Sequence, residues 1–102
     1  MSSPAPALSV VVPAFNEEPL LDGAIRRLRH TLDALRLSAE IIIVNDGSRD
    51  ATGEIADRLA SELSGVAVVH QENQGIGGAF RRGAALAKGD YLMLWPADMP
   101  AD

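Results

Sequence analysis

The stretch "EIIIVNDGSRDATGEIADRLA", Glu40 to Ala60, decides the fold of this chain. It opens with a continuous apolar run, turns through a polar segment, and goes on with apolar residues at helical spacing. A short run that is apolar throughout predicts a strand covered on both faces, as in a parallel sheet. A strand, a polar turn and a helix in this order predict one unit of an α/β fold.

The same unit recurs along the chain. Four apolar runs predict buried strands, at Leu8–Val12, Glu40–Val44, Val66–Val69 and Tyr91–Trp95. We therefore predict the order β-α-β-α-β-α-β and a Rossmann-like, doubly wound, mostly parallel sheet for residues 8–102. Residues 1–7 are expected to form a disordered tail.

Three segments between the runs predict helices. The first carries an apolar stripe as far as Leu35, with Asn16 as its N-cap. The second runs from Ala51 to Leu63, with Asp50 as its cap. The third runs from Gly78 to Ala87, where small residues would let it lie close to the sheet, and Gly89 is expected to stop it.

Composition narrows the class of protein. The chain has 102 residues, 47% of them hydrophobic and 23% charged, the balance of a globular protein. Its formal net charge of −5 argues against non-specific binding to nucleic acid. There is no cysteine, so disulfides and thiolate chemistry are excluded. No run approaches the length of a membrane span, and a cytoplasmic protein is expected.

Polar clusters follow all four predicted strands. In open α/β sheets ligands bind at the carboxyl ends of the strands, so the clusters should converge on one edge. They are "PAFNEE", "NDGSRD", "HQENQGIGGAFRRG" and "PADMPAD".

Each cluster alone has two readings. Asp46 can be part of an Asn-Asp-Gly-Ser turn, or it can accept a hydrogen bond from a nucleobase N–H. Glu17 can be a first-turn acid or can accept from sugar hydroxyls. Asp98 can belong to a turn or can bind Mg²⁺ or Mn²⁺, which prefer oxygen donors and leave room for substrate phosphates.

The segment "QGIGGAF" invites comparison with the dinucleotide fingerprint G-x-G-x-x-G. Gly75 and Gly77 fit, but Phe80 stands at the third glycine, and the segment follows the third strand rather than the first. A nicotinamide-dependent oxidoreductase is therefore disfavoured. Glycines before a helix can still cradle a phosphate, and Arg81 with Arg82 could neutralise a diphosphate or simply face solvent.

Taken together, "VVVPAFNEE", "EIIIVNDGSRDATGEIADRLA", "NQGIGGAFRRGAALAKGDY" and "PAD" resemble the family 2 glycosyltransferases, which share the GT-A fold. Within that family the chain looks most like the dolichyl- and polyprenyl-phosphate mannosyl- and glucosyltransferases. The resemblance covers nearly the whole chain after residue 7.

The resemblance implies roles for individual residues and a donor sugar linked to UDP or GDP. It places a nucleoside beside Pro13, Ala14 and Glu17, and the base on Asp46. It also places Gly75 and Gly77 beside the nucleotide and Arg81 near the diphosphate. Asp98 matches the second aspartate of the D-x-D metal motif.

The chain also departs from the family pattern. Pro96 replaces the first D-x-D aspartate, Pro100 replaces a frequent glutamine, and Asn45 stands where an aspartate is common. The family's general base and acceptor site would lie beyond residue 102. We therefore expect a donor-binding half, inactive by itself, whose complete form acts on a lipid phosphate at the inner face of a membrane.

Two alternatives remain open at this point. One is a non-catalytic module that binds nucleotide or a protein partner. The other is a small complete domain that forms a homodimer.

Overall fold

The structure, a computed structural model, describes residues 5–98. Strands and helices alternate in the predicted order, with bounds that differ from the predicted ones by a few residues. The elements are β1 (Leu8–Ala14), α1 (Leu21–Ala34), β2 (Ala39–Asp46), α2 (Thr52–Glu62), β3 (Val66–Gln71), α3 (Gly75–Leu86) and β4 (Tyr91–Leu94).

The strands form one parallel sheet in the order β3-β2-β1-β4. Val10 of β1 pairs with Ile41 on one side and with Met93 on the other. The predicted doubly wound α/β fold is therefore confirmed. Because the chain builds outward from β1 in both directions, a crevice opens between the carboxyl ends of β1 and β4, where such folds bind ligands.

The core has two layers, one on each face of the sheet. On the first face α1 and α2 bury Ile25 and Leu59 against Val10 and its neighbours. On the second face α3 buries Ala79 beside Val11. A Cβ added at Gly83 would lie 2.4 Å from Cγ1 of Val11, so glycine is what allows this close approach. The prediction that small residues bring the third helix close to the sheet is confirmed.

Strand β4 differs from its prediction as a buried strand. All of its residues are exposed, from 73% at Tyr91 to 38% at Leu94. It pairs with β1 alone, and no described helix covers either of its faces. Its continuous apolar run is typical of a buried strand, but none of the described residues covers it.

The start of α1 also differs from its prediction. The helix begins at Leu21 without a side-chain cap, so Asn16 is not its N-cap. Asn16 has φ 51°, donates its N–H to Ser48 Oγ, and accepts from the N–H of Arg49. A contact between two loops has taken the side chain that was expected to cap the helix.

Helix α2 begins at Thr52, one residue after the predicted start, and its N-cap residue, Ala51, has no side-chain cap bond. The carboxylate of Asp50 instead accepts from the N–H of Thr52 at 3.0 Å. Asp50 therefore hydrogen-bonds to the first residue of the helix from a position just outside it.

Helix α3 begins at Gly75, three residues before its predicted start, and ends at Leu86. Gly89 does not end it through a left-handed conformation, because its φ is not positive. A Cβ at Gly89 would lie 2.7 Å from the backbone carbon of Leu8, and its N–H donates to Ser9 Oγ. Gly89 is therefore required by its close approach to β1.

The predicted tail, residues 1–7, lies partly outside the described residues, and Pro100 lies wholly outside them. Within that range, Ala7 donates to the carbonyl of Ser38 and accepts from the N–H of Tyr91. Among residues 5–98, none of the helices is both long and apolar enough to cross a membrane.

Candidate functional site

A cavity of about 210 Å³ opens at the carboxyl edge of the sheet, in the crevice between β1 and β4. It brings together most of the residues singled out from the sequence. Those that line it are Pro13, Ala14, Glu17, Asp46, Gly75 and Asp98. All four polar clusters that follow the strands therefore meet here, as predicted from the strand order.

Asp46 is the most constrained polar residue of the cavity. Its side chain is buried at the end of β2, with 3% of the residue exposed. Its carboxylate accepts hydrogen bonds from the backbone N–H groups of Gln74 and Gly75 and from the side-chain amides of Gln71 and Asn73. The carboxylate thus joins β2 to the segment that opens α3, and its orientation in the cavity is fixed.

Glu17, which lines the same cavity, is held by the loop after β2 and the start of α2. Its backbone N–H donates to Thr52 Oγ1 at 2.8 Å, and the neighbouring Glu18 accepts from the N–H of Ala51. Burial raises the pKa of the Glu17 carboxyl, and the negative charges of Asp98 and Asp50 raise it further. A cation or a hydrogen-bond donor in the cavity would relieve this repulsion.

Asp98 reaches the cavity because the chain after β4 continues along β1. The N–H of Trp95 donates to the carbonyl of Val11 at 2.8 Å, and the N–H of Ala97 donates to that of Pro13 at 3.4 Å. Pro96 lines the same cavity but offers no side-chain donor atom to a metal. Backbone pairing with β1 therefore brings Asp98 into the cavity.

The donor set fits a metal ion shared with a substrate better than one enclosed by protein. Within residues 5–98 there is no group of three or more His, Cys, Asp or Glu side chains that could hold a metal. Mg²⁺ commonly takes one or two carboxylates and completes its shell with phosphate oxygens and water. Asp98, which lines the cavity, can supply one such carboxylate.

Two of the predicted site residues do not line the cavity. Gly77 and Arg81 lie one turn apart on α3, and Nη1 of Arg81 would lie 3.6 Å from a Cβ at Gly77. Arg81 is exposed. A long side chain at this position can reach a bound anion only from outside the cavity.

Asn45 explains one departure from the family pattern. Its Nδ2 donates to Nδ1 of His70 at 3.0 Å, while its Oδ1 accepts from the N–H of Ser48 at 3.2 Å. The other ring nitrogen of His70 lies 2.9 Å from a carboxylate oxygen of Asp57, to which it donates. An aspartate at position 45 would have no N–H to offer the ring.

Three cavity residues were missed by the sequence analysis, and they are Phe15, Asn73 and Ile76. Phe15 and Ile76 are exposed apolar side chains, at 46% and 56%. Their position beside predicted ligand residues was the available signal, because an apolar side chain at a strand end or a helix start has no core to enter.

A larger cavity, of about 370 Å³, lies at the opposite, amino edge of the sheet and is a weaker candidate for a functional site. Arg29, its most buried charged residue, donates to the carbonyl of Ala39 and to Asp33. Since the guanidinium is already engaged, the smaller cavity at the carboxyl edge is the better functional candidate.

Comparison with known proteins independently supports the resemblance to the family 2 glycosyltransferases. The family model described as glycosyl transferase family 2 matches residues 9–99. The undecaprenyl-phosphate 4-deoxy-4-formamido-L-arabinose transferase of Pseudomonas fluorescens is 36% identical over 98 residues, which are 94% of this chain and 29% of that protein. The dolichyl-phosphate beta-glucosyltransferase of Dictyostelium discoideum is 36% identical over 99 residues, covering 89% of this chain and 30% of that protein.

A solved structure shares the fold. The mannosyltransferase PcManGT from Pyrobaculum calidifontis, in complex with GDP-Man and Mn²⁺, superposes with a TM-score of 0.76 at 25% identity. The match covers 94% of this chain and 28% of that one. The chain thus spans less than a third of the length of each of these relatives.

Proposed function

The chain belongs to glycosyl transferase family 2, and from that premise we propose that residues 8–102 bind the nucleotide diphosphate sugar from which the complete enzyme transfers a sugar. The observation that carries the proposal is the meeting of Ala14, Asp46 and Asp98 in one cavity between β1 and β4. These residues come from three separate strand ends, and only the fold brings them together.

Each residue has a role that its position supports. The buried carboxylate of Asp46 accepts a hydrogen bond from the base. Pro13 and Ala14 form the floor under the nucleoside, because both residues line the cavity where β1 ends. Glu17 accepts from the ribose hydroxyls, a contact that would supply donors to a carboxylate now facing other negative charges.

Asp98 would hold Mg²⁺ or Mn²⁺ at the diphosphate. When bound, such an ion supplies Lewis-acid stabilisation of the charge on the departing nucleotide. PcManGT supports this assignment, since it was solved with Mn²⁺. Gly75 lies beside the nucleotide, while Gly77 and Arg81 would act at its outer edge, where the guanidinium can approach the diphosphate.

The acceptor of the complete enzyme is proposed to be a polyprenyl phosphate. The support comes from the names of two relatives, which transfer sugars to undecaprenyl and dolichyl phosphates. Such an acceptor would bring the complete protein to the cytoplasmic face of a membrane. Because the chain spans less than a third of each of these relatives, we expect it to bind a donor by itself without transferring the sugar.

A second candidate is a nucleotide-binding module without catalysis, and Pro96 favours it. A proline at the first D-x-D position removes one carboxylate from the cavity where a metal would lie. The two candidates differ in one measurable property, which is whether nucleotide binding depends on a divalent metal.

Calorimetry with UDP and GDP, with and without Mn²⁺, separates the two candidates. A working donor site predicts binding that is strengthened by Mn²⁺ and loses that dependence in Asp98→Ala. Asp90→Ala is the matched control, because Asp90 is exposed, precedes β4 at its other end and does not line the cavity. Binding that ignores Mn²⁺ in the wild-type chain would instead identify the module.

A further inference from the structure

Two loops at the carboxyl edge of the sheet are joined by hydrogen bonds, one after β1 and the other running from the end of β2 into α2. Three successive backbone N–H groups of the first loop donate to side chains of the second. These bonds run from Asn16 to Ser48 Oγ at 2.9 Å, from Glu17 to Thr52 Oγ1 at 2.8 Å and from Glu18 to Asp50 Oδ2 at 3.3 Å. The contacts, which we call the loop clasp, fix the backbone at Glu17 and on both sides of it.

The side chain of Glu17 is used differently from those of its two neighbours. Oδ1 of Asn16 accepts from the N–H of Arg49, and Oε1 of Glu18 accepts from the N–H of Ala51, both at 2.9 Å. Among residues 5–98, no such bond ties the Glu17 carboxylate to the second loop, and Glu17 lines the cavity. The clasp therefore holds Glu17 by its backbone and leaves its carboxylate to the cavity.

Thr52 is the buried member of the clasp. Its exposed fraction is 0%, whereas Ser48 is half-buried and Asp50 is exposed. The Thr52 hydroxyl donates to Oδ1 of Asp50, so its lone pairs are left to accept from the N–H of Glu17. The bond to the carboxylate also lowers the pKa of Asp50, which keeps this acceptor ionised. Because Thr52 does not line the cavity, it can affect a ligand there only through another residue.

We propose that Thr52 is a positioning residue for donor binding, whose hydroxyl holds Glu17 where the carboxylate accepts from the ribose of the nucleotide. The inference rests on the proposed function, which assigns the cavity to a nucleotide and Glu17 to its ribose. It adds a residue outside the cavity on which that contact depends.

The physical benefit of the clasp is preorganisation. A loop that is ordered before the ligand arrives does not lose its conformational freedom on binding. Thr52→Val keeps the shape of the side chain but leaves the N–H of Glu17 without its partner. The ligand itself would then have to order the Glu17 carboxylate, and this cost weakens binding.

The first test measures dissociation constants of UDP by calorimetry in the presence of Mn²⁺. Thr52→Val is expected to weaken UDP binding by about tenfold, the loss typical of a hydrogen bond to a charged group. Thr52→Ser keeps the hydroxyl and should bind UDP nearly as tightly as the wild type. Thr31→Val is the matched control, because Thr31 is exposed on α1 and does not line the cavity, and it should leave UDP binding unchanged.

A double-mutant cycle tests whether Thr52 acts through Glu17. Glu17→Ala removes the carboxylate that the clasp positions, so adding Thr52→Val to it should weaken UDP binding little further. If Thr52→Val weakens binding by the same factor with and without the Glu17 carboxylate, its effect is a general structural one and the positioning role is refuted.

The possible failures are distinguishable. If neither UDP nor GDP binds to the wild-type chain, the proposed function itself is wrong, and the positioning role falls with it. If UDP binds equally to the wild type and to Thr52→Val, folded by circular dichroism, the positioning role is refuted and the donor site stands. Should Thr52→Val not fold, Thr52→Ala removes the same hydroxyl with a smaller side chain, and the same cycle with Glu17→Ala decides.

Discussion

The carboxylate of Asp46 accepts a hydrogen bond from the backbone N–H of Gly75 at 2.9 Å, so the end of β2 fixes the start of α3. The N–H of Gln74 donates to the same carboxylate at 2.8 Å. N–H groups at the start of a helix commonly bind phosphates. Here an internal anion occupies two of them, so we expect the diphosphate of a donor to bind nearer to Asp98 than to these N–H groups.

Asp46→Ala is expected to weaken UDP binding by about 1–3 kcal/mol, because it leaves a base donor unpaired. The same substitution strips the buried partners of the carboxylate, so the free energy of unfolding should fall as well. Calorimetry and urea denaturation measure the two effects separately. A dissociation constant equal to that of the wild type would refute the base-reading role.

Gly83→Ala is expected to lower the free energy of unfolding by about 1–3 kcal/mol, since its methyl group would overlap Val11 on β1. Gly77→Ala is the matched control on the same helix. A Cβ at Gly77 meets only Nη1 of Arg81, at 3.6 Å, and helix propensity favours alanine. Chemical denaturation of both variants tests the packing of α3, and equal stabilities would contradict it.

Glu17→Gln is expected to raise the free energy of unfolding at neutral pH. The pKa of Glu17 is raised by burial and by the charges of Asp98 and Asp50, so the folded chain holds this proton more tightly than the unfolded chain. The stability it contributes is complete below the unfolded pKa and is lost as the pH rises through the folded pKa. Denaturation at a series of pH values should show that loss in the wild type alone.

Asp50→Asn should act in the opposite direction. The hydroxyl of Thr52 holds the pKa of Asp50 below its ordinary value, and backbone N–H groups add to the effect. The stability from ionised Asp50 is present above its unfolded pKa and is lost as the pH falls through its folded pKa. The variant should therefore be less stable than the wild type at neutral pH. A higher free energy of unfolding in the variant would contradict this prediction.

Pro96→Asp is expected to strengthen Mn²⁺ binding in the presence of UDP. It restores a carboxylate two residues before Asp98, in a segment that already lines the cavity. Titration of Mn²⁺ into the UDP complex, followed by calorimetry, measures the change. If the variant and the wild type have the same Mn²⁺ affinity, position 96 does not face the metal.

At the starts of the helices, tertiary contacts override the local sequence signals. Asn16 is of a residue type that commonly caps helices, yet it forms hydrogen bonds with Ser48 and Arg49 in the loop after β2. Gly78 looked like the first small residue of α3, but the helix begins at Gly75 because Asp46 satisfies the first N–H groups. Caps depend on short-range chemistry, which a partner distant in sequence can replace.

The sequence by itself determined the parallel α/β order and the strand ends that carry the ligand residues. Continuous apolar runs and polar turns are local, and right-handed crossovers leave few arrangements for them. It also singled out Asp46 and Asp98, because the type of residue at a strand end limits its chemistry.

Only the tertiary structure decided how those residues are used. It joined Gln71 and Gln74 to one oxygen of Asp46, left β4 exposed, and placed Arg81 outside the cavity. The physical reason is that hydrogen-bond saturation and burial depend on atoms that lie 25 or more residues apart in the chain, and no local pattern contains them.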